Sequence, residues 1–216
     1  MEANKIMVVG AGSLGSFTTL HIAEMAGFLP YRLSVCDHDK VERHNLFNQL
    51  YRESDIGRYK VDALLDIIRY LTGIMIKPHP FKVGRPPLWA DLHGIVIVLV
   101  DNMEARKEIF ESCMNQADIP FYIEARSGLE GALVYAFDPR DPDFTERYQK
   151  TLYTTESAIQ APCAEQRTIP TLWLVAATIC RILAQFTEAK IPPHVFTREI
   201  INTENLPILS PTSYNY

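Results

Sequence analysis

No Cys-x-x-Cys pair occurs anywhere in the 216 residues, and the four cysteines, Cys36, Cys113, Cys163 and Cys180, lie far apart. Neither a disulfide framework nor a zinc site is expected from that spacing, and a reducing cytoplasm is the simplest setting. Basic charge is also scarce: 21 Lys+Arg against 26 Asp+Glu leave a net charge of -5. A nucleic-acid binder usually clusters basic residues on one face. Only Arg43/His44 and Arg52/Arg58/Lys60 group here, so no nucleic-acid partner is expected. No apolar run reads as long enough to span a membrane, and no membrane partner is expected. No charged-then-apolar leader opens the chain, whose first apolar stretch already reads as a strand. Internal repeats and low-complexity runs are absent too.

What is present is an ordinary globular composition, 47% hydrophobic and 22% charged, in a length that suits one domain with a sizeable core. Strand and helix signals alternate. Lys5–Val9 reads as a strand and Ser13–Met25 as a helix ending at Gly27; Tyr31–Cys36 reads as a second strand. Asp37–Gly57 is polar and irregular, Val61–Leu71 is a helix closed by Gly73, and Ile74–Lys77 reads as a third strand. A Pro-rich stretch with Pro78, Pro80, Pro86 and Pro87 cannot be regular helix. Gly94–Val100 (GIVIVLV) is apolar on both faces, as a central parallel strand is. Glu104–Asn115 reads as a helix, and Phe121–Ala125 and Ala132–Phe137 as strands. The expectation is an α/β fold: a Rossmann-like doubly wound, mostly parallel sheet with helices on both faces and extra C-terminal strands or an extended tail. Residues 1–216 form one domain in this reading. It comprises a nucleotide-binding core over 1–137, a crossover loop over 138–168, an apolar helix over 169–186 and a tail over 187–216.

The turn GAGSLG at 10–15 follows a strand and opens a helix, the context a Gly-x-Gly-x-x-Gly turn needs. Gly10 permits the tight turn, Gly12 lets backbone approach a phosphate, and Gly15 allows close helix–strand packing. The N–H groups at the helix start, at Ser13 and Leu14, face an anion there. Asp37, at the end of the second strand, lies where a carboxylate takes ribose hydroxyls. So far an NAD-dependent oxidoreductase fits equally well.

The residues after Asp37 separate the alternatives. CDHDKVERHNLFNQLYRESDIGRYK carries a D-x-D-x-V spacing, Asn45, Gln49, D-I-G at 55–57 and Lys60, and Asp101-Asn102 follows later. Together with the glycine turn this set resembles the ThiF/MoeB/HesA superfamily, the adenylating domain of ubiquitin-activating-type enzymes, from about residue 5 to 186. The resemblance implies ATP and Mg²⁺ as cofactors. Gly10, Gly12, Ser13, Leu14 and Gly15 would hold the phosphates, and Asp37 the ribose, with Asp39 beside it. Asn45, Asn48, Gln49 and Lys60 would line the triphosphate, Asp101 would hold Mg²⁺, and Asn102 would lie near adenine and ribose. The implied reaction joins the C-terminal glycine carboxylate of a ubiquitin-like or sulfur-carrier protein to AMP and releases pyrophosphate, in a homodimer. Lys60 and a cation would neutralise charge at the α-phosphate. Simpler roles stand beside these: Asp101 as a helix cap, Lys60 as a solvated helix start, Asn45 as a turn residue.

The chain departs from the family pattern at Asn48, where the family has an arginine. An amide supplies neither the permanent charge nor the fork of donors. Arg43 and Arg52 flank the stretch as candidate substitutes. The arginine that many members receive from a partner's N-terminal segment is not evident either. A weak or inactive relative, a scaffold or heterodimer subunit that binds nucleotide or a carrier protein, is therefore the alternative to an enzyme. A member activating a peptide end or a tRNA nucleoside is a further one. Cys163, in APCAEQRT, resembles the family's loop cysteine, which in some members takes the activated carboxylate or sulfur chemistry, and it precedes the apolar helix, a place that can lower a thiol pKa. The tail ILSPTSYNY lacks a terminal Gly-Gly, so the chain is not expected to be the modifier itself. Metal analysis of the purified protein is expected to find no stoichiometric zinc; one equivalent would overturn this reading of the cysteines.

Overall fold

The computed structural model describes residues 5–29, 31–83, 92–114, 116–128, 131–152, 166–188 and 197–202. Cys163, Pro86, Pro87 and the tail beyond residue 202 lie outside the described residues. Lys5–Val9 forms β1 and Ser13–Glu24 forms α1. Arg32–Cys36 forms β2, and two short 3-10 turns, Arg43–Phe47 and Glu53–Asp55, order part of the polar stretch. Lys60–Thr72 is α2, Lys77–His79 is β3, Ile95–Val98 is β4 and Met103–Cys113 is α3. Phe121–Ser127 is β5, Gly131–Phe137 is β6 and Pro142–Gln149 is α4. A 3-10 turn at Gln166–Thr168 leads into α5, Ile169–Thr187, and Thr197–Asn202 is β7.

The strands lie in one sheet in the order β3-β2-β1-β4-β5-β6-β7. β3, β2, β1, β4 and β5 are parallel, while β6 and β7 pair antiparallel at the far edge. The doubly wound, mostly parallel sheet expected from the alternation is present, and β7 is the extra C-terminal strand. Ile6, Val8, Val35, Ile95 and Ile97 bury one face of the sheet with α1, α2 and α5. Met7, Val9, Val96, Val98 and Tyr122 bury the other with α3 and with Tyr148 of α4. Both faces of each central strand are dry, which is why GIVIVLV shows no polar alternation.

Three expectations are corrected. The third strand is not Ile74–Lys77 but Lys77–His79, set by pairing with Ser34, Val35 and Cys36 of β2. It is the sheet edge, where Pro78 costs no interior ladder bond. The crossover over 138–168 is not all loop. The Asp141 side chain accepts the N–H groups of Asp143 and Phe144, Pro142 takes the first turn, and α4 follows. Its polar face hid it from a search for apolar periodicity; the fully buried Tyr148 anchors it. Finally, Gln166–Thr187, 22 residues that contain an 18-residue window of mean hydropathy 1.5, is long and apolar enough to cross a bilayer by length and composition, contrary to expectation. Core packing accounts for that hydropathy. Leu172, Val175, Ala176, Ile179, Ile182 and Leu183 repeat at helical spacing and are buried in the core cluster.

Burial pushes the Cys36, Cys113 and Cys180 thiols up to about 12. Their neutral forms favour folding, so this contribution is complete below the unfolded thiol pKa of about 8.5 and is lost as pH rises toward 12. Urea midpoints are expected to fall above about pH 8.5. Iodoacetamide at about pH 8 should leave these three cysteines unmodified until denaturant is added.

Candidate functional site

β1 and β4 are neighbours although the strand order runs away from them in opposite directions. The crevice at their carboxyl ends is where an open parallel sheet places a ligand. A cavity of about 470 Å³ lies there, walled by the ends of β1, β2, β4 and β5 and by the start of α1.

The glycine turn is dictated by packing at two positions. Gly10 has φ +101°, and a Cβ there would lie 2.6 Å from the Leu99 carbonyl oxygen. A Cβ on Gly15 would lie 1.9 Å from the Gly10 carbonyl oxygen, so α1 is pressed against the turn. At Gly12 a Cβ would meet nothing within 4 Å. Protein packing does not require glycine there, whereas a phosphate drawn to the uncapped first turn of α1 would. The Asp37 carboxylate accepts from the Ala11 N–H at 2.7 Å and the Asp39 N–H at 2.8 Å, tying the end of β2 to the turn. The Tyr51 hydroxyl donates to the Ala11 carbonyl at 2.5 Å.

Most of the expected residues line this one cavity: Gly10, Gly12, Ser13 and Leu14 from the turn, Asp37 and Asp39 after β2, then Asn45, Asn48 and Gln49, Lys60, and Asp101 with Asn102. Gly15 supports the turn from behind. Lys60 is buried and donates to Asp39 at 3.0 Å. Asn45 is buried and accepts the Glu42 N–H at 2.8 Å, which fixes the turn that carries it. Asn48 Oδ1 and Gln49 Oε1 are buried without a hydrogen-bond partner. A buried unpaired acceptor costs about 1–3 kcal/mol, and a ligand donor or a water relieves it. The cap of α3 is Asn102, which accepts the Ala105 N–H at 2.7 Å, so the exposed Asp101 carboxylate is left out of the cap. It offers hard oxygen to a cation at the strand end. Ligand atoms of Asp37, His38 and Asp39 also lie within 4.8 Å of one another.

Arg43 and Arg52 are not brought to the cavity. Arg43 pairs with Glu53 at 2.7 Å, and Arg52 with the buried Asp55 at 3.3 Å. Two arginines absent from the sequence reading line the wall instead, Arg106 of α3 and Arg126 of β5. Arg106 donates to Glu124 and to the Val100 carbonyl. Arg126 donates to Glu124 at 2.9 Å and to the Thr151 carbonyl and hydroxyl at 2.7 and 3.1 Å. The Tyr148 hydroxyl donates to the same carboxylate at 3.2 Å. Burial raises the Tyr122 and Tyr148 phenols, keeping both neutral. The only trace of this network in the sequence is charge inside a β-rich run, YIEARS.

Fold and cavity together define a doubly wound α/β protein with a glycine-turn site at its switch point. The ThiF family profile matches residues 1–205, and the chain belongs to the ThiF family. It is 31% identical over 137 residues to the maize (Zea mays) adenylyltransferase and sulfurtransferase MOCS3-1, covering 62% of this chain and 28% of that protein. A probable molybdopterin-synthase adenylyltransferase of Gracilaria tenuistipitata var. liui is 28% identical over 156 residues, 70% of this chain and 43% of its own length. The chain thus spans less than half of these curated relatives. Among solved structures, PaaA superposes with a TM-score of 0.69 at 20% identity, over 94% of this chain and 62% of its own. E. coli MccB with ATP superposes with a TM-score of 0.66 at 15% identity, over 95% of this chain and 64% of its own. These two likenesses show the fold.

Gly12 and Gly15 separate experimentally. Gly15→Ala is expected to destabilise by about 3 kcal/mol or more, since its methyl group meets backbone. Gly12→Ala should cost no more than about 1 kcal/mol yet weaken binding of a phosphate-bearing ligand at the turn about tenfold or more. Urea denaturation and ligand titration of the two variants measure both effects.

Proposed function

We propose that the chain is an ATP-dependent adenylating enzyme acting on the C-terminal carboxylate of a ubiquitin-like or sulfur-carrier protein that ends in glycine. The observation that carries this reading is the open space at Gly12, inside a turn where Gly10 and Gly15 have none. The names of the relatives support it: maize MOCS3-1 is an adenylyltransferase and sulfurtransferase, and E. coli MccB has been solved with ATP and with an ATP analogue plus MccA.

The residues divide the work. The turn and the first N–H groups of α1 receive phosphates, and Asp37 faces the ribose while bracing the turn. Lys60, held by Asp39, places a fixed positive charge beside the phosphates. Asp101 would hold Mg²⁺, which would supply positive charge beside the phosphates. A substrate carboxylate oxygen then attacks the α-phosphorus; the bond to the β-phosphate breaks and pyrophosphate leaves. Holding two anions in line is the larger part of the task. Transfer to Cys163, a homodimeric state and a cytoplasmic setting belong to the same proposal. One observation favours a second reading, a weak or inactive scaffold: Asn48 brings no charge, and Arg43 and Arg52 are held away in ion pairs.

A thermal-shift titration with Mg-ATP and with NAD tests the nucleotide part of the adenylating reading. At about 100 times its Kd a ligand adds roughly 2.7 kcal/mol, a rise of about 5–10 °C for a chain of this size. Mg-ATP alone is expected to raise the midpoint, and Asp101→Ala to abolish most of the rise. A response to NAD alone would return the glycine turn to oxidoreductases. No response to either would favour the scaffold.

A further inference from the structure

A nucleotide laid along the site has a direction set by the sheet. Its phosphates belong at the glycine turn that ends β1, and its ribose at Asp37, which follows β2. The strand order puts β3 beside β2, on the side away from β1. With strands about 4.8 Å apart, the step from turn to ribose continues by one more strand to the end of β3, and the base comes to lie there.

The residue at that place is Phe81. It stands two positions past β3 and lines the cavity with Lys82 and Val83. Its backbone is held at both ends: the N–H donates to the His79 carbonyl at 2.9 Å, and the carbonyl accepts the Cys36 thiol at 3.1 Å. The His79 carbonyl also accepts the Asp37 N–H at 3.1 Å, so one oxygen ties Phe81 to the residue assigned to the ribose. The ring belongs to neither core cluster, and Phe81 is 46% exposed. An apolar ring left open to water costs free energy until apolar surface covers it. Phosphate and ribose are too polar to cover it. A nucleobase is flat and apolar on its faces, and it stacks on a phenyl ring.

We infer that Phe81 is the platform on which the base of the nucleotide stacks, and that it makes the site prefer purine to pyrimidine nucleotides. The inference deepens the adenylating reading and rests on it for the nucleotide. Phe81 is a specificity residue: two fused rings cover more of the phenyl face than one ring does, and stacking strength follows the covered surface. The turn and Asp37 meet only groups that all nucleotides share, so the choice between bases falls to the β3 side of the cavity.

The test titrates the full chain with Mg-ATP, Mg-UTP, NAD and Mg-tripolyphosphate, which has no base. Wild type is expected to bind Mg-ATP about fivefold or more tighter than Mg-UTP. Phe81→Leu keeps an apolar side chain and loses the ring. It should weaken Mg-ATP about tenfold, bring Mg-ATP and Mg-UTP within about twofold of each other, and leave tripolyphosphate within about twofold of wild type. Phe81→Trp restores a stacking face and should restore the purine preference. Unchanged Mg-ATP affinity in Phe81→Leu, with Mg-ATP still bound by wild type, would overturn the inference and leave the adenylating reading standing. An equal loss for Mg-ATP and tripolyphosphate would also overturn it, since Phe81 would then act through the turn. If Mg-ATP does not bind while NAD does, and NAD weakens in Phe81→Leu, the adenylating reading falls and the base platform stands. If none of the four binds to wild type, both fall.

Discussion

The contact between Gly15 and the Gly10 carbonyl governs the architecture of the site. At the distance seen, any side chain on residue 15 would occupy the space of a backbone oxygen. The missing side chain lets the start of α1 descend onto the end of β1. Gly10 itself is pinned by the Leu99 carbonyl beyond β4, so one turn fixes the relation of β1, α1 and the end of β4. The cavity is what remains between these elements and the ends of β2 and β5. A small backbone clearance sets the place of a large site because the elements it joins are rigid and buried on both faces.

The polar groups around that turn do structural work that makes them available for chemistry. Asp37 bonds two backbone amides, Asn45 bonds one, and buried Asp55 gathers Arg52 and Arg58. Each of these ties an irregular stretch to its neighbours with directed bonds, and a buried carboxylate so satisfied is not a liability. The consequence for charge is a division of the cavity. On the β2 side Lys60 is balanced by Asp39, and on the β5 side Glu124 is shared by two arginines.

Much of the site was legible because its residues sit close together in the chain. The turn at 10–15, Asp37 and the run through Lys60 are neighbours in sequence, and each has a local signature: a strand meeting glycine, a strand-end acid, a helix start. Asp101 ended an apolar strand that periodicity had already located. Arg106, Glu124 and Arg126 carried no such signature. They come from two separate stretches, α3 and β5, with a partner on α4, and only the sheet order brings them together. The helix α4 was missed for a related reason: it buries essentially one residue, Tyr148, into a cluster made by distant strands. The candidate substitutes Arg43 and Arg52 were chosen by nearness along the chain, and their own neighbours Glu53 and Asp55 claim them.

The sequence by itself determined the alternation of strands and helices, the glycine turn and the charge types that follow it, because these depend on backbone sterics and on periodicities of a few residues. The tertiary structure decided which cations face the cavity and why the apolar α5 belongs to a core. It also decided that the sheet edge begins at Lys77. Those outcomes depend on pairings between residues far apart in the chain, and no local pattern encodes the closing of such a contact.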